Sequence, residues 1–234
     1  MADYTPRTTF DRQIQDIQNE VLILGSMVEE AVLGSVEALR KRDLEAAERI
    51  YHGDQKINEK RYGIENECLV LIARQQPMAR DLRILAAVLE INTELERIGD
   101  YAKGISRINM MMGDEPFLIP ITDLTLMAEK GLDMLHRALS AFVERDAETA
   151  RQIPREDDEI DALYNHIYRE LIDQMIEDPK SIDRANYLVW AAHNLERMAD
   201  RVTNICERIV FVVSGEMREL DVSDDETYER KYQP

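Results

Sequence analysis

The sequence contains the same acidic motif twice, 100 positions apart. Leu-Glu-Arg at 95–97, followed by Asp100, returns as Leu-Glu-Arg at 195–197, followed by Asp200. A second match, offset by 103 positions, lies upstream in the residue pairs Asp54/Asp157, Ile57/Ile160 and Asn58/Asp161. Repetition on this scale indicates that the chain folds as two copies of one supersecondary unit.

Both copies carry apolar residues at three- and four-residue steps, which is the spacing of one face of an α-helix. Pro77 and Pro179 interrupt this pattern at equivalent places, and Arg-Asp pairs at 42–43 and 145–146 mark equivalent helix junctions. Asp43 is suited to cap the helix that follows it. The sequence therefore predicts an all-α fold of six long helices, arranged as two tandem repeats of a three-helix bundle with pseudo-twofold symmetry.

The boundary between the copies is predicted in the stretch 113–120, which contains Gly and Pro residues that break helices. We assign residues 1–115 to the first three-helix repeat and 116–216 to the second. Residues 217–234 form a polar C-terminal tail. Trp190, in the last helix, is predicted to lie in the core.

The charge balance excludes several classes of function. The chain has 29 Lys and Arg against 47 Asp and Glu, a formal net charge of −18. A surface this acidic repels nucleic acid and anionic lipid. Residues 1–13 have no apolar core of a secretory signal, and the longest apolar stretches are too short to span a bilayer. These features predict a cytoplasmic protein that neither binds nucleic acid nor inserts into a membrane, and Cys68 and Cys206 are predicted to be buried thiols.

The repeated carboxylates could converge. Glu96 and Asp100 are four residues apart and share one face of a helix, and Asp54 and Asn58 have the same spacing on the preceding helix. If these helices are antiparallel neighbours, four oxygen-bearing side chains meet. The second copy repeats the pattern with Asp157, Asp161, Asn165, Glu196, Asp200 and Asn204. Oxygen ligands select hard cations such as iron, manganese, magnesium or calcium, with zinc also compatible.

Simple surface ion pairs with Arg97 or Arg197 are the alternative to a metal site, and the recurrence of the pattern favours the metal site. Glu96 and Asp100 lie about 150° around the helix from the apolar stripe, on the outside of the bundle, which suits sensing or docking more than catalysis. A di-iron oxidase would need Glu-x-x-His on two helices, and none of the four His residues has Glu three positions before it. A carboxylate-ligated metalloenzyme and a metal-free helical interaction scaffold stay open as alternative functions.

Several longer motifs resemble one family. They are Ile-Ala-Arg-Gln-Gln-Pro at 72–77, Asp-Leu-Arg at 81–83, Glu-Leu-Glu-Arg-Ile-Gly-Asp at 94–100 and Asn-Ile-Cys-Glu at 204–207. Together with the second Leu-Glu-Arg motif they resemble the PhoU family of bacterial phosphate-uptake regulators, over about residues 8–215.

The resemblance implies two symmetric three-helix bundles, often forming a homodimer, with no catalytic activity. It implies a negative regulator of phosphate uptake and of the phosphate-starvation response. The implied partners are the ATPase subunit of the phosphate ABC transporter and a sensor histidine kinase. It also implies iron, zinc or another divalent or trivalent cation on the acidic faces, and no organic cofactor.

Transferred to this chain, the resemblance implies two metal-binding faces. The first carboxylate face consists of Asp54, Asn58, Glu96 and Asp100. The second carboxylate face consists of Asp157, Asp161, Glu196, Asp200 and Asn204. Asn58 replaces the carboxylate found at Asp161, and Gly104 stands where the second copy has Asn204. The first face is therefore poorer in ligands, and the second is the better candidate for a metal site.

Overall fold

The computed structural model describes residues 6–220, and helices dominate these residues. The first unit contains α1, α2 and α3, at Pro6–Lys41, Leu44–Gln75 and Ala79–Met112. The second contains α4, α5, α6 and α7, at Thr122–Glu144, Ala147–Gln152, Asp157–Glu177 and Ile182–Ser214. Six of these helices are long, and the all-α fold of two three-helix repeats is confirmed.

The junctions form where the sequence predicts them. The Asp43 carboxylate accepts a hydrogen bond from the backbone N–H of Ala46 and caps α2, and Asp146 caps α5 through the N–H groups of Glu148 and Thr149. At the end of α7, Gly215 adopts the left-handed conformation at φ 78°, which suits a residue without a Cβ.

The middle helix of the second unit differs from the prediction. The predicted six long helices require one continuous helix between the junction at 145–146 and Pro179, but α5 ends at Gln152 and a 3₁₀ turn, Ile153–Glu156, precedes α6. Pro154 accounts for the break, because it has no N–H to donate and its ring excludes the carbonyl four residues earlier. As a result Asp157 becomes the first residue of α6, whereas its counterpart Asp54 lies well inside α2.

The two units pack along α3 and α7, which make the most extensive helix contact in the molecule. These helices are antiparallel: Glu94 contacts Asn204, whereas position 104 lies against Asn194. A second contact joins α1 to α4, where a Cβ on Gly25 would overlap a methyl group of Leu139. The buried apolar side chains form one continuous cluster that extends through both units.

Two predictions about single residues have opposite outcomes. Cys68 and Cys206 are buried free thiols, as predicted, and burial raises the pKa of each to about 12. Trp190 was predicted in the core, but it is 50% exposed and packs edge-on against Tyr187. The prediction failed because a large aromatic residue at helical spacing can lie at the margin of a helix interface as well as at its centre.

The remaining predictions concern the ends and boundaries of the chain. Residues 113–121 connect α3 to α4, and the proposed division at 115/116 falls within this connection. Residues 217–220 of the predicted tail follow α7 without regular structure, and 221–234 lie outside the described residues. Across residues 6–220, no helix is both long and apolar enough to cross a membrane.

Candidate functional site

The first carboxylate face forms where α2 packs against α3. Asp54 projects from α2, is only 4% exposed, and receives a hydrogen bond from the amide of Asn58 at 3.0 Å. Its Oδ2 also lies 2.7 Å from the Nζ of Lys103 on α3, and the same ammonium is 3.8 Å from Asp100 Oδ1. The structure thus places carboxylates of α2 and α3 on this face, with the Lys103 ammonium between Asp54 and Asp100.

The electrostatics of this face favour a neutralising cation. Burial raises the pKa of the Glu96 carboxyl, and the negative charge of Asp100 raises it further. Burial and then the charge of Asp54 raise the pKa of Asp100. The hydrogen bond to Asp54 raises the pKa of Lys103, whose ammonium also lies 5.6 Å from the centre of the Tyr51 ring. Lys103 therefore remains charged and offsets part of the repulsion.

The raised pKa values of Glu96 and Asp100 predict a pH dependence of stability. Above the ordinary carboxyl pKa of about 4, the unfolded chain releases protons that the native chain still holds. The free energy of unfolding therefore falls as the pH rises toward the raised native values. In chelator-treated protein, Glu96→Gln is expected to weaken this fall. Melting temperatures of both proteins from pH 4 upward, with Glu90→Gln as an exposed control on the same helix, test it. Parallel pH profiles for the wild type and Glu96→Gln would contradict the prediction.

The second carboxylate face involves α6 and α7, which pack against each other. Asp157 is buried at the start of α6, and Asp161 is partly buried one turn later. Glu196 and Asp200 are partly buried on α7. The charge of Glu196 contributes, after burial, to raising the pKa of Tyr164 on α6, so the two helices bring acidic and phenolic groups close together.

Basic side chains border this second face. His193 Nδ1 is 3.1 Å from Glu196 Oε2, and Arg197 Nη1 is 3.4 Å from Asp200 Oδ2. Arg201 approaches the same Asp200 oxygen at 3.9 Å. The predicted alternative, in which a carboxylate of this face forms an ion pair with Arg197, is therefore present in the structure for Asp200.

A buried carboxylate that is not among the predicted site residues, Glu94, links the two units. The Glu94 side chain is 8% exposed and accepts hydrogen bonds from Arg97 at 2.7 Å, Arg201 at 3.5 Å and Asn204 at 3.3 Å. Asn204, proposed as a metal ligand, thus directs its amide toward the other unit. The sequence signal for an inward-facing Glu94 is its position three residues after the apolar residue Ile91, which is the spacing of one face of a helix.

The two carboxylate faces differ in how well their side chains suit a bound metal ion. Both offer the carboxylate oxygens that hard cations bind. The first face already contains the Lys103 ammonium, whereas the equivalent position in the second copy is Thr203. With the side chains as placed in residues 6–220, no three His, Cys, Asp or Glu groups are clustered closely enough to hold a metal ion.

One family model and two named relatives match most of this chain. A family model described as PhoU domain matches twice, at residues 21–108 and 124–209. A Clostridium acetobutylicum protein named phosphate-specific transport system accessory protein PhoU homolog is 33% identical over 219 residues, covering 93% of this chain and 99% of its own length. The Escherichia coli K12 phosphate-specific transport system accessory protein PhoU is 33% identical over 207 residues, covering 88% of this chain and 86% of its own.

Solved structures match over a similar extent. The crystal structure of the phosphate transport system regulatory protein PhoU from Streptococcus pneumoniae superposes with a TM-score of 0.83 at 32% identity, covering 89% of this chain and 99% of that one. That of PhoU from Pseudomonas aeruginosa gives 0.84 at 31% identity, covering 88% and 100%. The two relatives and the Streptococcus pneumoniae protein are named as accessory or regulatory proteins, and these names describe no enzymatic activity.

Proposed function

This chain belongs to the PhoU family of phosphate transport accessory proteins, and we propose that it acts as a cytoplasmic negative regulator of phosphate uptake and of the phosphate-starvation response. It is a regulatory protein and not an enzyme. In this role it is an adaptor between the ATPase subunit of the phosphate ABC transporter and a sensor histidine kinase. Homodimerisation is part of the same proposal.

The observation that supports the adaptor role is the pair of carboxylate faces on neighbouring helices, each borne by one copy of the repeat. Glu96 and Asp100 belong to one face, and Glu196 and Asp200 to the other. Both pairs are at least partly accessible, so they can meet a partner or an ion from solution. A chain with a net charge of −18 also complements basic surfaces on partner proteins.

We further propose that the second carboxylate face binds iron, zinc or another divalent or trivalent cation. Asp157, Asp161, Glu196 and Asp200 would supply its oxygen ligands. A bound cation would offset the repulsion between these carboxylates and tie α6 to α7. Metal occupancy would then adjust the surface that the second unit presents to its partners.

A genetic experiment tests the adaptor role. Deleting the gene in its own host is expected to derepress phosphate-starvation genes at high phosphate, and the wild-type chain is expected to restore repression. Glu196→Ala/Asp200→Ala is expected to restore it poorly, and Glu90→Ala, an exposed substitution outside both carboxylate faces, is the control. Repression that persists after deletion, together with pull-downs that recover neither the transporter ATPase nor the kinase, would refute the proposal.

Elemental analysis tests the cation. Protein purified without chelator or metal-affinity resin is expected to carry iron, manganese or zinc that is lost in Glu196→Ala/Asp200→Ala. Metal-free protein with intact partner binding would instead favour a metal-free interaction scaffold. Phosphate-dependent turnover that disappears in Glu196→Ala would favour a carboxylate-ligated metalloenzyme.

A further inference from the structure

Besides the exchange of Asn58 for Asp161, the two carboxylate faces differ in charge at position 103. Lys103 on α3 corresponds to Thr203 on α7 through the same 100-residue offset that relates Asp100 to Asp200. The Lys103 ammonium lies 2.7 Å from Asp54 Oδ2 and 3.8 Å from Asp100 Oδ1. It therefore stands between the carboxylates of α2 and α3, where a bridging cation would have to be.

We propose that the Lys103 ammonium occupies the position that a metal ion would take on the first carboxylate face. This face therefore takes up no metal ion, and metal binding is confined to the second face. The first part stands on the geometry around Lys103 alone, and the second rests on the cation site given under the proposed function. The two repeats then differ in function. The carboxylates of the first face are neutralised by a lysine side chain at all times, whereas those of the second face are neutralised only when an ion binds from solution.

The surroundings of Asp54 explain why a lysine at this position excludes a metal. A carboxylate that is 4% exposed requires a positive partner, and Lys103 supplies it on one oxygen while Asn58 donates to the same oxygen. A divalent cation bridging Asp54 and Asp100 would sit within a few ångströms of the ammonium, and the two positive charges would repel each other. The lysine would have to leave before the ion could bind.

The charges of the second face are arranged differently. The first face combines the carboxylates of Asp54, Glu96 and Asp100 with one ammonium, whereas the second combines four carboxylates with the neutral hydroxyl at position 203. Arg197 Nη1 lies 3.4 Å and Arg201 Nη2 3.9 Å from the same Asp200 oxygen, and both arginines belong to the helix that carries Asp200, whereas Lys103 contacts carboxylates of two helices. His193, beside Glu196, is a group that can itself ligate a metal when neutral.

Titration of the chelator-treated full chain with Mn²⁺ tests this proposal. In the wild type, Mn²⁺ binding is expected to be lost in Glu196→Ala/Asp200→Ala and unchanged in Glu96→Ala/Asp100→Ala. Lys103→Thr, which copies the second repeat, is expected to gain an additional Mn²⁺ site that disappears when Glu96→Ala/Asp100→Ala is added. Lys103→Arg, which keeps the charge, is the control and is expected to gain none.

Thermal unfolding gives a second readout. Removing the ammonium leaves Asp54 without its positive partner, so metal-free Lys103→Thr is expected to melt below the wild type. The variant Lys103→Thr/Glu196→Ala/Asp200→Ala keeps only the Mn²⁺ site expected on the first face. Mn²⁺ at about a hundred times the dissociation constant of that site is expected to raise its melting temperature by about 5–10 °C. The same addition is expected to leave Glu196→Ala/Asp200→Ala unchanged.

The outcomes separate the two parts of the proposal. Wild-type Mn²⁺ binding that is lost in Glu96→Ala/Asp100→Ala overturns it, as does Lys103→Thr that folds and gains no site. A wild type that binds no Mn²⁺, with a site gained in Lys103→Thr, refutes the second-face cation and supports the role of Lys103. If Lys103→Thr does not fold, residual Mn²⁺ binding in Glu196→Ala/Asp200→Ala that depends on Glu96 overturns the proposal, and its absence supports it.

Discussion

Replacing Glu94 with alanine is expected to lower the free energy of unfolding by about 3 kcal/mol, the low end of the cost of breaking a buried ion pair. Glu94 is the shared acceptor for Arg97 on its own helix and for Arg201 and Asn204 on α7. Without it, the Arg201 guanidinium, whose side chain is 16% exposed, loses its partner across the helix interface. Arg97 is half exposed and can turn to water, which keeps the cost near the low end.

Urea unfolding of the metal-free chain measures this effect. Glu90→Ala, on the same helix but exposed, is the matched control and is expected to change the unfolding free energy by less than about 0.5 kcal/mol. Glu94→Gln keeps an oxygen acceptor for Asn204 and is expected to cost less than Glu94→Ala. Equal effects of Glu94→Ala and Glu90→Ala would show that the contact between the units does not depend on this carboxylate.

The elements of the fold follow from local features of the sequence. Asp43 and Asp146 cap helices because a short carboxylate immediately before a helix can reach its first N–H groups, whatever the tertiary structure. The repeat of Leu-Glu-Arg-x-x-Asp made the equivalence of α3 and α7 visible without any structure. Local chemistry and self-similarity were therefore sufficient for the helices and for their grouping into two units.

The ion pairs between helices could not be predicted from the sequence, because they join residues that are far apart in the chain. Lys103 reaches Asp54 from 49 positions away, and Arg201 reaches Glu94 from 107 positions away. The rotation of each helix and the register of its neighbour decide such contacts, and an apolar stripe shows which face is buried but not which side chains meet across it. For the same reason, the sequence does not predict where the side chain of Asn204 lies. It was assigned to the second carboxylate face, and in the structure it contacts Glu94 across the interface between the units.

Phe142 is expected to be one of the most costly side chains to truncate. It is 1% exposed on α4 and is among the largest fully buried side chains of the described residues. Phe142→Ala is therefore expected to lower the free energy of unfolding by about 3–5 kcal/mol, because it removes apolar contacts and leaves a cavity that rigid neighbouring helices cannot close. Chemical denaturation of purified, metal-free protein gives the value.

Trp190→Ala provides the contrast, because this aromatic residue is also on a long helix but is half exposed. Since about half of its surface stays in water in the folded chain, its truncation is expected to cost less than half as much as Phe142→Ala. Comparable losses would mean that Trp190 is covered in solution by surface that one chain does not provide, as in a homodimer. In that case the melting temperature of the wild type would rise with protein concentration, and that of Trp190→Ala would not. The pair of variants thus measures both the depth of the core and whether the exposed aromatic residue belongs to an interface between two copies of the chain.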